Sequence, residues 1–403
     1  MRSYLYAFFL ATIFNVNYCA AQTISGTLTD EDNAPIEYAH VFFKNDQTRG
    51  STSNELGEFN ITIYDYNKKD SLVFSALGYN TLIIPCSSLN TYDNIYTMTS
   101  STISLSEIVI TSDTYLKGLL KESIRRIPDN YANDKHVLKA YYQNYTISDT
   151  NYTEMIQADI NIENGNYSKK STTTNIFLNK LKRTEDNRDL PERLRSTRND
   201  MFYTLNRNNA VYSKSFSYFG GMRSHKTIDS FIESIDNINE MGISNQYYQD
   251  GDTILTIKIA DPAIKFSINS KLSTFLYTLV SINLSDMAVV KVVFGNIWDE
   301  KKDFNEVVYR KINGIYYPSY IRSISQFKYQ QETKSHYSCH NILFYDIITD
   351  KKILKQHKKG KKLKVEKSLR SIKWKSDENF WSNYIYKNQL PATKILEAEF
   401  NID

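Results

Sequence analysis

Three cysteines and six histidines leave this 403-residue chain little material for thiol or metal chemistry. No His-Glu-x-x-His motif occurs. His336 and His340 flank Cys339, and on a strand both rings would point to one face, but no third ligand lies nearby in sequence. His40 sits among strand-forming residues and reads as a strand position. There is no Gly-x-Ser-x-Gly elbow and no Walker-type glycine loop, and Ser217-Tyr-Phe-Gly-Gly221 has the wrong spacing for either. Paired carboxylates cannot be recognised from sequence alone. No catalytic residue, metal ligand or cofactor is therefore assigned, and an enzyme is not expected.

Long apolar runs are equally scarce. Only Tyr4 to Val16 qualifies, and it is too short to cross a bilayer as a helix. Preceded by Arg2 and followed by Cys19-Ala20-Ala21-Gln22, it reads as a secretory signal over residues 1–21, cleaved after Ala21. Bulky Tyr18 argues against lipid attachment at Cys19. No later stretch could form a transmembrane helix, so the mature chain is expected to be exported, in the periplasm or associated with the outer membrane. If Cys19 leaves with the signal, Cys86 and Cys339 remain, either as a disulfide or as separate buried thiols.

What the chain does have is aromatic residues, with 31 tyrosines and 20 phenylalanines against 13 glycines and seven prolines, a balance that leans towards β-structure. From Ile24 to Thr111 apolar and polar residues alternate at period two. The runs begin at Ile24, Val41, Phe59, Leu72, Leu82, Ile95 and Ile108, with turn residues between them. This spacing predicts a β-sandwich over residues 22–112. Gly57 falls at a chain reversal that favours positive φ, and Phe59 points inward after it. Gly78 is expected to bend a strand while Tyr79 covers the sandwich edge.

Ile24-Ser-Gly26-Thr-Leu-Thr-Asp30, Ala34-Pro35-Ile36, Gly57-Glu-Phe59, Phe74-Ser-Ala-Leu-Gly78-Tyr79 and Leu105-Ser-Glu-Ile-Val-Ile-Thr111 occur in order. Together they resemble the carboxypeptidase regulatory-like domain found at the front of many exported Bacteroidetes proteins. The resemblance implies a transthyretin-like β-sandwich that is a non-catalytic module and precedes a larger domain. Gly26, Asp30, Pro35, Gly57, Phe59, Gly78 and Tyr79 are its structural motif.

Residues 113–403 read as a second, β-rich domain of unknown function. Leu116, Leu119, Leu120, Ile124 and Ile127 recur at helical spacing, with Asp113 or Thr114 to cap the helix and Pro128 to stop it. Long strands follow at Val137, Met155, Thr253, Thr274, Phe304, Ile315 and His336, and Asn313-Gly314 is a strong hairpin signal. The stretch from Lys180 to Asn209 alternates Arg and Asp and reads as an exposed loop or short helix. Ile228, Phe231, Ile232 and Ile235 mark a short helix, and Phe380, Trp381, Tyr384 and Ile385 a last one, begun by Ser376 or Asp377 and ended by Pro391. The prediction is a large curved antiparallel sheet with a few helices, and this half resembles the half-barrels of periplasmic lipoprotein carriers.

Charge is balanced overall at +4, but Lys351 to Lys375 holds eleven lysines and Arg370 against Glu366, a net of about +11. Lys351, Lys352, Lys358, Lys359, Lys361 and Lys362 form its core. An exported protein rarely meets nucleic acid, so an anionic membrane surface is the functional candidate and a solvated face the plain one. Two readings follow. In the first, a non-enzymatic envelope protein uses the sandwich as a binding or assembly module towards an envelope partner. In the second, a periplasmic carrier holds an apolar ligand in the curved sheet. A TonB-dependent receptor is a third, less expected reading, since too little chain follows the sandwich for both plug and barrel; a small barrel alone would suit the tyrosines but not the polar tail after the last helix.

Overall fold

The computed structural model describes residues 22–101, 112–148, 151–164, 175–183, 232–259, 265–268, 271–298, 301–328 and 335–384, apart from a few single positions, and Met201. The signal segment, Ile108–Ile110, the Arg/Asp stretch beyond Arg183, Ser217–Gly221, Ile228, Phe231, Ile385 and Pro391 lie outside the described residues.

Among its described residues the front segment has seven strands, six of them where period-two runs begin. These are β1 (Gln22–Thr29), β2 (His40–Phe43), β3 (Asp46–Thr52), β4 (Glu58–Ile63), β5 (Ser71–Ser75), β6 (Leu82–Pro85) and β7 (Asn94–Thr97). They form two layers, β4-β1-β7 and β3-β2-β5-β6. Inward residues from both layers, among them Leu28, Val41, Phe59, Ile61, Leu72 and Phe74, make one core. The pattern did not reveal β3, because its sequence Asp-Gln-Thr-Arg-Gly-Ser-Thr has no apolar alternation.

Gly57 sits at φ +73°, and a Cβ there would collide with the Leu28 carbonyl oxygen. Asn54 explains the turn, since its side-chain oxygen accepts from the Leu56 and Glu58 amides at 2.9 and 2.8 Å. Gly26 is required for another reason: a Cβ would press on Asn94 of β7 and on the Phe59 ring. Asp30 caps its own turn by accepting from the Asp32 and Ala34 amides, and Thr29 bridges to Pro35. Gly78, at φ +88°, lies in the turn after β5 and not within a strand, while Tyr79 packs half-buried against the sandwich core.

The second body is mostly strand: β8 (His136–Ser148), β9 (Asn151–Asn164), β10 (Asn175–Arg183), β11 (Met241–Gln249), β12 (Asp252–Ile259), β13 (Lys265–Ile268), β14 (Lys271–Asn283), β15 (Ala288–Trp298), β16 (Lys301–Ile312), β17 (Ile315–Lys328), β18 (Ser335–Ile348) and β19 (Lys361–Lys362). They form a curled antiparallel half-barrel in the order β11-β12-β14-β15-β16-β17-β18-β8-β9-β10-β19, with β13 extending along β14. Asn313 and Gly314 turn β16 into β17 at φ 49° and 85°, the left-handed pair that a two-residue hairpin requires. Where β17 leaves β18 at Leu343, β3 of the sandwich takes over the same strand through a bridge between Arg49 and Asp346.

Helix α1 (Asp113–Arg125) lays Leu116, Leu119, Leu120 and Ile124 on one face of this sheet, against Leu138, Ile160, Phe294, Ile342 and Phe344. Pro128 does not stop it. α1 ends at Arg125, and Pro128 opens the next short helix, α2 (Ile127–Asn130), where a missing N–H costs nothing. Two further short helices are α3 (Lys351–Leu354) and α4 (Glu378–Ser382). Asp377 caps α4 by accepting from the Phe380 amide at 3.1 Å. Lys180 to Arg183 is not loop but the end of β10.

Two glycine substitutions are expected to move stability in opposite directions. Gly57→Ala should cost about 1–3 kcal/mol through its left-handed backbone. Gly118→Ala, on the exposed face of α1 with open space around it, should gain about 0.5–1 kcal/mol. Urea denaturation midpoints of the two variants check both signs.

Candidate functional site

The sheet's second face meets the sandwich along a seam of buried polar groups. Tyr38, held at φ +54° before β2, stacks on Tyr320 with ring centroids 4.5 Å apart. Its hydroxyl donates to Glu55 at 2.7 Å, and Asn341 of β18 donates to the same carboxylate oxygen at 3.3 Å. Arg322 of β17 reaches Glu37 at 3.5 Å and lies over the Tyr38 ring, 5.4 Å from its centroid. Deeper, Glu306 of β16 pairs with Lys291 of β15 at 2.5 Å.

Burial alone would raise the Glu306 carboxyl, but Lys291 and Arg322 outweigh it and hold the group below its usual range. Tyr38 is pushed well above the ordinary phenol range by burial, opposed by Arg322. Tyr320 moves the same way through burial and the Glu306 charge. These directions keep the Glu306 carboxylate charged and the Tyr38 and Tyr320 phenols protonated, which suits fixed hydrogen bonds and not proton transfer.

One pair at the seam has the composition of a catalytic dyad. His40 Nε2 is hydrogen-bonded to the Ser319 hydroxyl. Ser319 is fully buried, however, and His40 Nδ1 has no partner to orient it among the described residues. Burial, and Arg310 next, keep His40 neutral by driving its pKa well below the usual value. Ser319, the would-be nucleophile, lacks access, and among the described residues the pair has no third group, so it acts as a packed polar contact.

The residues singled out from sequence are not gathered in one place. His336 and His340 share a face of β18 with Ile342, and His340 Nδ1 bonds to the Tyr142 hydroxyl at 3.0 Å and meets the Asn144 amide. Among the described residues no group of three or more His, Cys, Asp or Glu could hold a metal ion. Cys86 and Cys339 are not joined. Cys86 lies in the sandwich core, its thiol raised to about 11 by burial and Asp70, while Cys339 packs with Tyr145, Ile147 and Ile324 on the sheet.

The lysine-rich stretch is divided among several elements. Lys351 and Lys352 lie exposed in α3, Lys358 in a single turn, and Lys361 and Lys362 exposed on β19; Lys359 is outside the described residues. Exposed Ile353 sits among the first of them. Arg370 is different: its guanidinium turns inward and grips both carboxylate oxygens of buried Glu154, with Nε at 2.6 Å from one of them. Lys180 and Lys182 of β10 meanwhile hold Asp377 and Glu378 at 2.5 and 2.7 Å. Being the only arginine in the run was a usable signal, since arginine is preferred for two-point carboxylate contacts.

Between sandwich and sheet opens a cleft of about 580 Å³, and a second of about 540 Å³ lies between β3 and α3. Both are lined by mixed polar and apolar groups.

Residues 24–110 match the CarboxypepD_reg-like domain family, so the front sandwich is a carboxypeptidase regulatory-like domain. A search of curated proteins found no match. Three solved structures match at low similarity. A DUF1329 family protein from Desulfovibrio piger is 8% identical, covers 60% of this chain and 95% of its own, and gives a TM-score of 0.25. A putative outer membrane lipoprotein-sorting protein domain from Vibrio parahaemolyticus is 8% identical over 61% and 98%, at 0.26. A LolA superfamily protein from Nitrosomonas europaea is 10% identical over 59% and 96%, at 0.22. Scores at this level carry no argument about this chain.

Two measurements test the buried polar groups. Arg370→Met strands Glu154, whose side chain is 1% exposed, and should cost about 3–5 kcal/mol in chemical denaturation. Arg370→Met with Glu154→Leu should recover most of that loss. The second concerns pH: His40 and His136 both have pKa values lowered, first by burial. The unfolded chain therefore binds protons below about pH 6.5 that the folded chain refuses. Stability should be full above that pH and fall as pH drops towards 5, by at most about 1.4 kcal/mol per unit for each histidine. Replacing both with asparagine should flatten the slope.

Proposed function

We propose that this is a non-catalytic, exported cell-envelope protein in which the regulatory-like sandwich, fixed to a half-barrel sheet, serves as a binding or assembly module. The observation that carries this reading is the seam. Its charged groups are spent within the seam instead of being presented to a substrate: Arg322 pairs with Glu37, Lys291 with Glu306, and Glu55 accepts from Tyr38 and Asn341. Export is supported by the Arg2 to Ala21 segment, and no helix among the described residues is long and apolar enough to cross a membrane. The carrier reading needs room between α1 and the sheet, and there α1's leucines already pack on the strands.

The partner proposed is an anionic membrane surface, reached by the exposed lysines of α3 and β19 with Ile353 among them. Each basic residue near such a surface contributes about 1 kcal/mol at physiological salt. The mature chain should sediment with phosphatidylglycerol vesicles and not with phosphatidylcholine ones. Replacing Lys351, Lys352, Lys361 and Lys362 by alanine should lower the partition by roughly two to three orders of magnitude. Association that persists unchanged at about 1 M salt, where screening acts within about 3 Å, rules the electrostatic contact out.

A further inference from the structure

His40 belongs to the sandwich by sequence and to the seam by position. It begins β2, is buried, and reaches the Ser319 hydroxyl of β17 across the interface. That bond fixes where the ring carries its proton. Ser319 makes no other side-chain hydrogen bond among the described residues, so its hydroxyl donates to Nε2. The imidazole proton then stands on Nδ1, which is buried and has no partner there.

Charge acts on the ring from one side. Thr52 of β3 and Ser75 of β5 stand opposite His40 in the two ladders, and neither titrates. The Gln249 amide, which reaches Ser75 from the β11–β12 tip, is neutral too. β17 contributes Ser319, and β16 contributes Arg310, whose charge opposes a second positive one at His40. Other charged groups share the lining of the neighbouring cleft but are engaged elsewhere. Glu37 meets Arg322, Asp250 accepts from Thr81 and Asp252 from Asn283, while Lys291 and Lys311 pair with Glu306 and Asp286. Among the described residues no carboxylate pairs with His40.

A proton arriving at Nε2 therefore upsets the contact in two ways. The new N–H has to donate to Ser319, which turns the hydroxyl proton away from its acceptor. An imidazolium then sits beside the Arg310 guanidinium out of water. Moving the two surfaces apart removes both effects, because water solvates the ring and the hydroxyl.

We propose that acid releases the sandwich from the half-barrel at this seam, with His40 as the sensor and Ser319 and Arg310 as the groups that respond to its charge. The direction follows from linkage. Undocked, the ring titrates near about pH 6.5; docked, burial and then Arg310 hold it well below that. Docking is thus undisturbed above about pH 6.5 and weakens as pH falls, by up to about tenfold in its equilibrium constant per unit. Glu306, held below the usual carboxylate range, stays charged over the same interval. His136 is also kept neutral by burial, but it belongs to the half-barrel, where it stacks on Tyr317.

The test is hydroxyl-radical footprinting of the full mature chain between about pH 8 and about pH 5. Tyr38 and Tyr320, stacked across the seam and 6% and 7% exposed, are the reporters, and exposed Tyr92 is the internal reference. Their labelling should rise by up to about tenfold per unit below about pH 6.5. Phe59 in the sandwich core and Phe294 in the sheet core should stay unlabelled, which separates release from unfolding. His40→Gln keeps a neutral group for Ser319 and should leave the labelling flat with pH. Arg310→Gln should level the rise off sooner, and it carries the test if His40→Gln does not fold; His136→Asn should respond as the native chain does. The proposal is overturned if Tyr38 and Tyr320 remain shielded at about pH 5, if Phe59 and Phe294 become labelled together with them, or if a folded His40→Gln or Arg310→Gln chain responds like the native one.

Discussion

A guanidinium out of water holds the two bodies of this protein in one arrangement. Arg322 is 3% exposed, and moving such a charge from water costs several kcal/mol unless every neighbour compensates it. Glu37 and the Tyr38 ring come from the sandwich, and Glu306 and the Phe304 ring from the sheet. The compensation exists only when both bodies are docked in register. Apolar contact such as Tyr38 on Tyr320 supplies affinity, but it would tolerate sliding. Charges with fixed partners do not, and the cleft beside the seam inherits its shape from that constraint.

The far side of the sheet is finished by a similar device. β10 would present an open edge, which invites pairing with other chains. Instead β19 pairs with it, and the segment beyond wraps the edge. Leu363, Leu369 and Ile372 pack on the α1 side, and Trp381 packs on the sandwich side. Lys180–Asp377, Lys182–Glu378 and Arg370–Glu154 fasten it. The first two are half exposed and contribute little, whereas the third is buried and specific. A basic stretch thus divides its work, with most lysines facing water and one arginine turned into the core.

Particular elements show where sequence reading succeeded and where it stopped. β4 was legible because Phe59, Ile61 and Ile63 alternate on one buried face. The β16–β17 hairpin was legible because Asn-Gly tolerates positive φ. β3, β10 and β11 were not. The first is polar throughout, the second continues into a charged stretch, and the third mixes Gly, Ser, Asn and Gln with its tyrosines. Such strands are stabilised by neighbours distant in the chain, and their own composition does not announce them. Pro128 misled because proline at a helix start and proline after a helix end look alike without coordinates.

The amino-acid order by itself determined the local grammar: a sandwich with its turn glycines, an amphipathic helix, and long strands joined by tight turns. These follow from backbone sterics and from the periodicity of burial, both of which act within a few residues. Only the tertiary structure decided that Tyr38, Glu55, Arg322 and Asn341 meet, that Arg370 leaves its lysine neighbours for Glu154, and that Cys86 and Cys339 occupy different cores. Those pairings join residues up to about 290 positions apart. They depend on which faces are buried together, and that is a property of the packed sheet and not of any local window.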